Sequence, residues 1–284
     1  MPEAPNGANA DEGAAAARRA TARAEFESVM TFPAPDPFSP YSDLGVLGFV
    51  FGEVWNRPGL DRRARRWITL ASVAVCDSVV PIEMHVYAAL KSGEITLAEM
   101  QEFVLHLAVY SGWPKASMME GTTMKMWAQV REELGDDAPH AEPADALPVG
   151  GGIDDPAARR VRGQESYLFV NTTPPPPPTT PFFGPGILDF VFSEMWTRPG
   201  LSTRDRRFIT LACVGAADAV TPIESHVYAA LKTGDVTLAG MQEFVLHFAV
   251  YCGWPKASMM EATTMRMWAR IQKEAAAEGT ASDG

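Results

Sequence analysis

The chain has 284 residues, of which 46% are hydrophobic and 21% charged, enough apolar material for globular cores of ordinary size. Its 24 basic against 35 acidic residues leave a formal charge of −11, which repels phosphate backbones and anionic lipid surfaces, so neither nucleic acid nor a membrane is an expected partner. Met1 to Ala24 holds no continuous apolar core of a signal peptide, and no later stretch reaches membrane-spanning length without a charge or proline, so a cytoplasmic protein is expected.

In chain order, residues 1–17 read as a flexible N-terminus, followed by Arg18-Arg19 and a proline-rich approach at Pro33, Pro35 and Pro37. The apolar, aromatic-rich stretch Leu44 to Asn56 is stopped by Arg57-Pro58-Gly59. Asp61 then opens a helix through about Val79, with Trp67, Ile68, Ala71 and Val75 at helical spacing. Pro81 starts a short helix through Leu90 that ends at Gly93, a favoured residue just past a helix end. Thr96 and Glu99 form a capping box opening a helix to Tyr110, and the last helix starts at Pro114 and runs to about Glu133. Residues 135–158, rich in Asp, Ala, Pro and Gly, read as a linker that cannot assemble a core.

Residues 159–275 then repeat residues 18–134, and 276–284 read as a flexible C-terminus. A shift of 141 places Glu194 on Glu53, His226 on His85, His247 on His106 and Trp254 on Trp113, and roughly two thirds of positions from Leu47 to Glu133 are identical. The capping box is broken in the second copy, where Gly240 replaces the glutamate. No segment has a convincing strand pattern. An all-α chain of two tandem helical domains is expected.

Four of the five histidines pair between copies, as His85/His226 and His106/His247, while His140 falls in the linker. His106 and Tyr110 are spaced i,i+4 and project from one helix face, and Gly112-Trp113-Pro114 turns the chain directly afterwards. The turn at Gly93 is expected to fold the helix carrying His85 back along the one carrying His106, bringing both imidazoles of one copy to one pocket. The blander reading makes these satisfied core polar groups, and makes Glu53, Trp55 and Arg57 a helix end with a surface ion pair. Arg62, Arg63, Arg65 and Arg66 read mostly as a solvated face, although Arg63, Arg65 and Arg66 recur as Arg204, Arg206 and Arg207, so that one of them is a candidate to meet a carboxylate. Cys76 aligns with Ala217, Cys213 with Ser72 and Cys252 with Ser111, so the copies share no thiol function and the cysteines read as buried small hydrophobes. No metal-ligand spacing is present, and no metal is expected.

The run Phe51-Gly52-Glu53-Val54-Trp55-Asn56-Arg57-Pro58-Gly59-Leu60 through Arg65, with Ile68 to Ala71, resembles the signature of the carboxymuconolactone decarboxylase family. His85 to Gly93 and His106-x-x-x-Tyr110-x-Gly112-x-Pro114 match that family in order and spacing, and the second copy repeats the signature from Glu194 to Leu201. The resemblance implies an all-helical subunit, rings that are commonly hexamers, and cofactor-free chemistry on a carboxylate-bearing lactone. A tandem chain would make the equivalent ring as a homotrimer. The candidate catalytic residues are His85, His106, Tyr110 and Glu83, with His226, His247, Tyr251 and Glu224 in the second copy. Substrate contacts are implied for Glu53, Trp55, Arg57, Arg65 and Trp113, and for Glu194, Trp196, Arg198, Arg206 and Trp254. His106 and Tyr110 are expected to stabilise an oxyanion and donate a proton, with His85 a further candidate to deliver the proton, Arg57 or Arg65 to hold the carboxylate, and Trp55 and Trp113 to exclude water.

The chain departs from the family pattern where a glutamate four residues before the first histidine is replaced by Pro81, with Glu83 only two residues before His85. A later family histidine is replaced by Gly121 and Ala262. The related alkyl hydroperoxidase D branch carries C-x-x-C where this chain has Ser78 and Pro81, so peroxidase chemistry is not expected. The two functional expectations are a decarboxylase, or an allied proton-transfer enzyme, for a small carboxylated lactone or acid, and a non-catalytic ligand-binding or structural relative.

Overall fold

The computed structural model describes residues 7–139, 153 and 155–282; His140, most of the expected linker and the outermost terminal residues lie outside the described residues. Every regular element among the described residues is helical. The first copy comprises α1 (Gly7–Met30), a π-helix π1 (Tyr41–Val54), α2 (Arg62–Val75), α3 (Val79–Lys91), α4 (Leu97–Ser111) and α5 (Trp113–Leu134). The second comprises α6 (Pro156–Asn171), π2 (Phe182–Met195), α7 (Thr203–Ala216), α8 (Val220–Thr233), α9 (Leu238–Cys252) and α10 (Trp254–Ser282).

Local chemistry explains most boundaries. The Asp61 carboxylate accepts from the Ala64 amide at 2.7 Å and starts α2. Thr96 and Glu99 close the capping box of α4 at 3.1 and 2.9 Å, and Thr237 keeps half of it in α9, accepting from the Gly240 amide at 3.0 Å. The expected helix to Val79 stops instead at Val75, because Asp77 adopts a left-handed φ of 52° and the Val75 carbonyl accepts from Lys115 Nζ at 2.8 Å. The aromatic stretch winds as a π-helix, shown by the Trp55 amide donating to the Val50 carbonyl five residues back at 3.0 Å. Helix also extends beyond the expected flexible ends, from Gly7 in α1 and to Ser282 in α10, where alanine runs favour it.

The two copies do not form separate cores. In α2 every residue from Ala64 to Ala74 is buried, and in α7 every residue from Asp205 to Ala216. A helix without a solvent face needs cover on both sides, and each copy supplies only one side. Accordingly α2 packs on its equivalent α7, while α4 packs on α7 and α9 packs on α2. One continuous apolar cluster runs from Trp67, Phe103 and Leu107 to Phe208, Phe244 and Phe248. The helices that carry His106 and His247 thus each lie against the opposite copy. The Arg-Pro-Gly turns lie close against the opposite copy: Gly59 has φ +99°, and a Cβ there would stand 2.8 Å from Glu243 Cγ of the other copy.

Candidate functional site

The docking of α9 on α2 assembles a cluster at Trp55, just past π1. Thr69 Oγ1 lies 2.8 Å from His247 Nε2, and Arg65 Nη1 lies 3.3 Å from His247 Nδ1. A guanidinium can only donate, so Nδ1 accepts and the proton of the neutral ring sits on Nε2, directed at Thr69. Trp55 Nε1 donates to the Tyr251 hydroxyl at 3.0 Å. The His85 ring meets Tyr251 edge-on with centroids 5.7 Å apart, stacks with Trp55 at 6.4 Å, and lies beside the Arg66 guanidinium, which sits 5.3 Å over the Trp55 ring.

The second cluster repeats this with the copies exchanged. His106 Nε2 lies 2.9 Å from Thr210 Oγ1 and Nδ1 lies 3.2 Å from Arg206 Nη1. Trp196 Nε1 donates to Tyr110 at 2.9 Å, His226 meets Tyr110 edge-on at 5.6 Å, and Arg207 lies 5.6 Å over Trp196. Each cluster therefore joins the first histidine of one copy to the second histidine and tyrosine of the other. The expectation that both imidazoles of one copy converge is corrected, because α4 and α9 turn their histidine faces across the pseudo-twofold axis rather than back onto α3 and α8.

Burial sets the protonation states. His85 and His226 are held down to about 3 by desolvation and by Arg66 and Arg207 respectively, and His106 and His247 are pushed well below the ordinary range by burial and by Arg206 and Arg65. All four are neutral at physiological pH. Burial pushes Tyr110 up to about 12 and raises Tyr251, opposed by hydrogen bonds from the tryptophans and from Thr210 and Thr69. A tyrosine oxygen that already accepts two donors keeps its own proton for a third partner.

Several polar atoms at these clusters are buried without a partner: His85 Nδ1 and Arg66 Nη1 in the first, His226 Nδ1 and both terminal nitrogens of Arg207 in the second. Arg65, Arg66 and Arg207 are buried, which corrects the reading of Arg65 and Arg66 as a solvated face; the cause is the sandwiching of α2 and α7 between copies. Arg66 is fixed by Glu94 at 2.8 Å and by the Val29 carbonyl at 2.6 Å, and Arg207 by Asp235 at 3.1 Å. Sequence reasoning left Thr69, Thr210, Arg66 and Arg207 out of the site; their recurrence in both copies was the available signal.

Other expected site residues lie elsewhere. Glu83 and Glu224 form surface pairs with Lys125 at 2.5 Å and Arg266 at 2.7 Å, since two residues before the histidine places them off its helix face. Arg57 and Arg198 are consumed by forked ion pairs with Glu243 and Glu102 of the opposite copy, at 2.7 and 2.5 Å. Arg65 and Arg206 also face those carboxylates, at 3.4 and 3.9 Å, and each donates to the carbonyl of its copy's Arg57 or Arg198. Glu194 pairs with Arg159, while Glu53 is exposed and borders a cavity of about 880 Å³ between α1 and π1. Trp113 and Trp254 are more than half exposed and pack on Phe190 and Phe49, so neither walls the clusters. A second cavity of about 430 Å³ is lined by Arg57, Pro58, Gly59 and Glu243, and no imidazole lines either one. Among the described residues no group of three His, Cys, Asp or Glu side chains is arranged to hold a metal, and no helix is long and apolar enough to cross a membrane.

A profile of the Carboxymuconolactone decarboxylase family matches residues 44–119 and again 181–265, the two segments that carry these clusters. The chain belongs to the carboxymuconolactone decarboxylase family. It is 34% identical over 90 residues to 4-carboxymuconolactone decarboxylase of Acinetobacter baylyi, a match covering 32% of this chain and 63% of that protein. It is 36% identical over 78 residues to nitrosuccinic acid decarboxylase of Metarhizium robertsii, covering 28% of this chain and 54% of that protein. The matches thus span between half and two thirds of these relatives' lengths.

Proposed function

We propose that the chain is a decarboxylase of a small organic acid or lactone in which an electron-accepting group, such as a carbonyl or nitro group, lies near the carboxylate that is lost. The observation that carries this reading is the set of buried, unpartnered nitrogens around one tyrosine: His85 Nδ1 and Arg66 Nη1 beside Tyr251, repeated as His226 and Arg207 beside Tyr110. The activities for which both relatives are named, decarboxylation of carboxymuconolactone and of nitrosuccinic acid, agree with that substrate class.

In this mechanism the bond to the carboxyl carbon breaks and its electron pair moves onto the acceptor group. Negative charge grows on the acceptor and leaves the carboxylate, so a fixed cation assists most when it faces the acceptor. Arg66 and Arg207 take that role, and His85 and His226, as neutral imidazoles, contribute one further hydrogen bond. The departing carboxylate lies on the side away from the guanidinium, where loss of water favours departure of neutral carbon dioxide. Tyr251 or Tyr110 then delivers its proton to the carbon, and the phenolate left behind is stabilised by the tryptophan N–H and threonine hydroxyl until solvent reprotonates it.

Purified protein incubated with carboxylated lactones and nitro- or keto-acids is expected to release carbon dioxide from at least one, read as mass loss. Tyr110→Phe combined with Tyr251→Phe should cut that turnover by about 10²–10⁴-fold; unchanged turnover sinks the tyrosine assignment. Ligand binding without conversion is the second reading, favoured by the fact that neither cavity is lined by an imidazole. Compounds that bind yet never lose mass would establish it.

A further inference from the structure

Cys76 and Cys252 are 176 residues apart in sequence, yet their Sγ atoms stand 3.9 Å apart where the C-terminal ends of α2 and α9 meet. Cys76 is exposed and Cys252 half-buried, whereas Cys213 is buried in the core. We propose that Cys76 and Cys252 form a peroxide-reactive dithiol site whose oxidation closes a disulfide between the two copies. A disulfide needs sulfurs about 2 Å apart, so closure requires a side-chain rotation of the exposed Cys76, which caps its helix and precedes the left-handed Asp77.

The surroundings favour a nucleophilic thiolate at Cys76. Its thiol is lowered to about 6, first by the hydrogen bond from Cys252 and then by the ammonium groups of Lys256 and Lys115. Lys115 is held there by the Val75 carbonyl and Asp77, and Lys256 by the Ala216 carbonyl and Asp218. Burial pushes Cys213 up to about 12 and keeps it out of the reaction. The Cys76 thiolate attacks one oxygen of hydrogen peroxide, breaking the O–O bond and releasing hydroxide, and becomes a sulfenic acid. The Cys252 sulfur then attacks that sulfur and water leaves, so the two thiols are oxidised by two electrons and the peroxide is reduced to two waters.

The site is asymmetric. At the equivalent face of the other half the positions hold Ala217 and Ser111, which cannot cross-link. The disulfide would tie α2 to α9, the helices that carry Thr69, His247 and Tyr251, and would leave the cluster at Trp196 untouched.

The test is to treat the full chain with hydrogen peroxide, block remaining thiols with an alkylating reagent, and record intact mass and a non-reducing peptide map. Free thiols should fall from three to one, with loss of two hydrogen atoms, one cross-linked peptide pair containing Cys76 and Cys252, and reversal by dithiothreitol. Cys252→Ser, which places here the residue that Ser111 supplies in the other half, should abolish the cross-link and leave a sulfenic acid at Cys76 that dimedone traps. Oxygen addition at Cys76 without the cross-link, intermolecular dimers through Cys76, or three thiols surviving treatment would each overturn the proposal.

Discussion

Four imidazoles buried in the neutral state make folding sensitive to mild acid. In the unfolded chain each histidine binds a proton below about pH 6.5, whereas His85 and His226 in the folded chain stay neutral down to about 3. The unfolded state therefore binds more protons across that window, and stability falls as pH falls from about 6.5 towards 3. Between pH 7 and 5.5, His85 and His226 together should cost about 2.5 kcal/mol, and His106 and His247 act in the same direction and enlarge the loss. That is a large share of a typical stability of about 5–15 kcal/mol. Carboxylates held at low pKa begin to contribute only below this window, and pH 5.5 stays above the pI of about 5.0, where precipitation would intervene. Urea unfolding followed by circular dichroism at pH 7, 6.5, 6 and 5.5 gives the slope directly. His85→Gln with His226→Gln should remove about 2.5 kcal/mol of the pH-dependent loss. A free energy that changes by less than about 0.5 kcal/mol over the range would refute the reasoning, since it would mean that the imidazoles titrate alike in both states.

Thr69→Val keeps the side-chain shape but removes the hydroxyl 2.8 Å from His247 Nε2 in a fully buried setting, so unfolding free energy should drop by about 1–3 kcal/mol; wild-type stability would contradict the tautomer assigned to His247. Glu102 is almost fully buried and accepts a forked bond from Arg198 beside the buried Arg206, so Glu102→Gln should cost about 3–5 kcal/mol in the same urea assay. The surface pair of Glu83 with Lys125 serves as the control, and Glu83→Gln should stay within about 1 kcal/mol of wild type. Equal losses in the two variants would show that the bond between copies is not the buried one described.

Signals contained in a few neighbouring residues are legible in the sequence alone. Asp61 as a cap, the Thr96–Glu99 box, the stop at Gly93 and the start at Pro114 depend on backbone groups within one turn, and each occurs where the spacing placed it. The all-helical tandem architecture followed from the same signals and the shift of 141 residues. The π-helical winding of Tyr41–Val54 was not legible, because an aromatic-rich apolar run fits either helix type until its packing against α1 decides. Nor was the pairing of histidines. His85 is as near in sequence to His106 as His226 is to His247, and only the crossing of α9 over α2 determines that Thr69 and Trp55 meet His247 and Tyr251. The same crossing buries Arg66, whose place in an Arg-rich run resembles a solvated face when one helix is considered without its partner.

Pairing substitutions across and within the copies tests the composite clusters most directly, using whichever acid the purified protein decarboxylates. Tyr110→Phe with His226→Ala damages only the Trp196 cluster, and about half of the turnover should remain if the two clusters work independently. Tyr110→Phe with His85→Ala, both in the first copy, damages both clusters, and turnover should fall by about 10²-fold or more. The opposite pattern, with the same-copy pair retaining half and the cross-copy pair losing nearly everything, would contradict the assembly of each site from both halves of the chain.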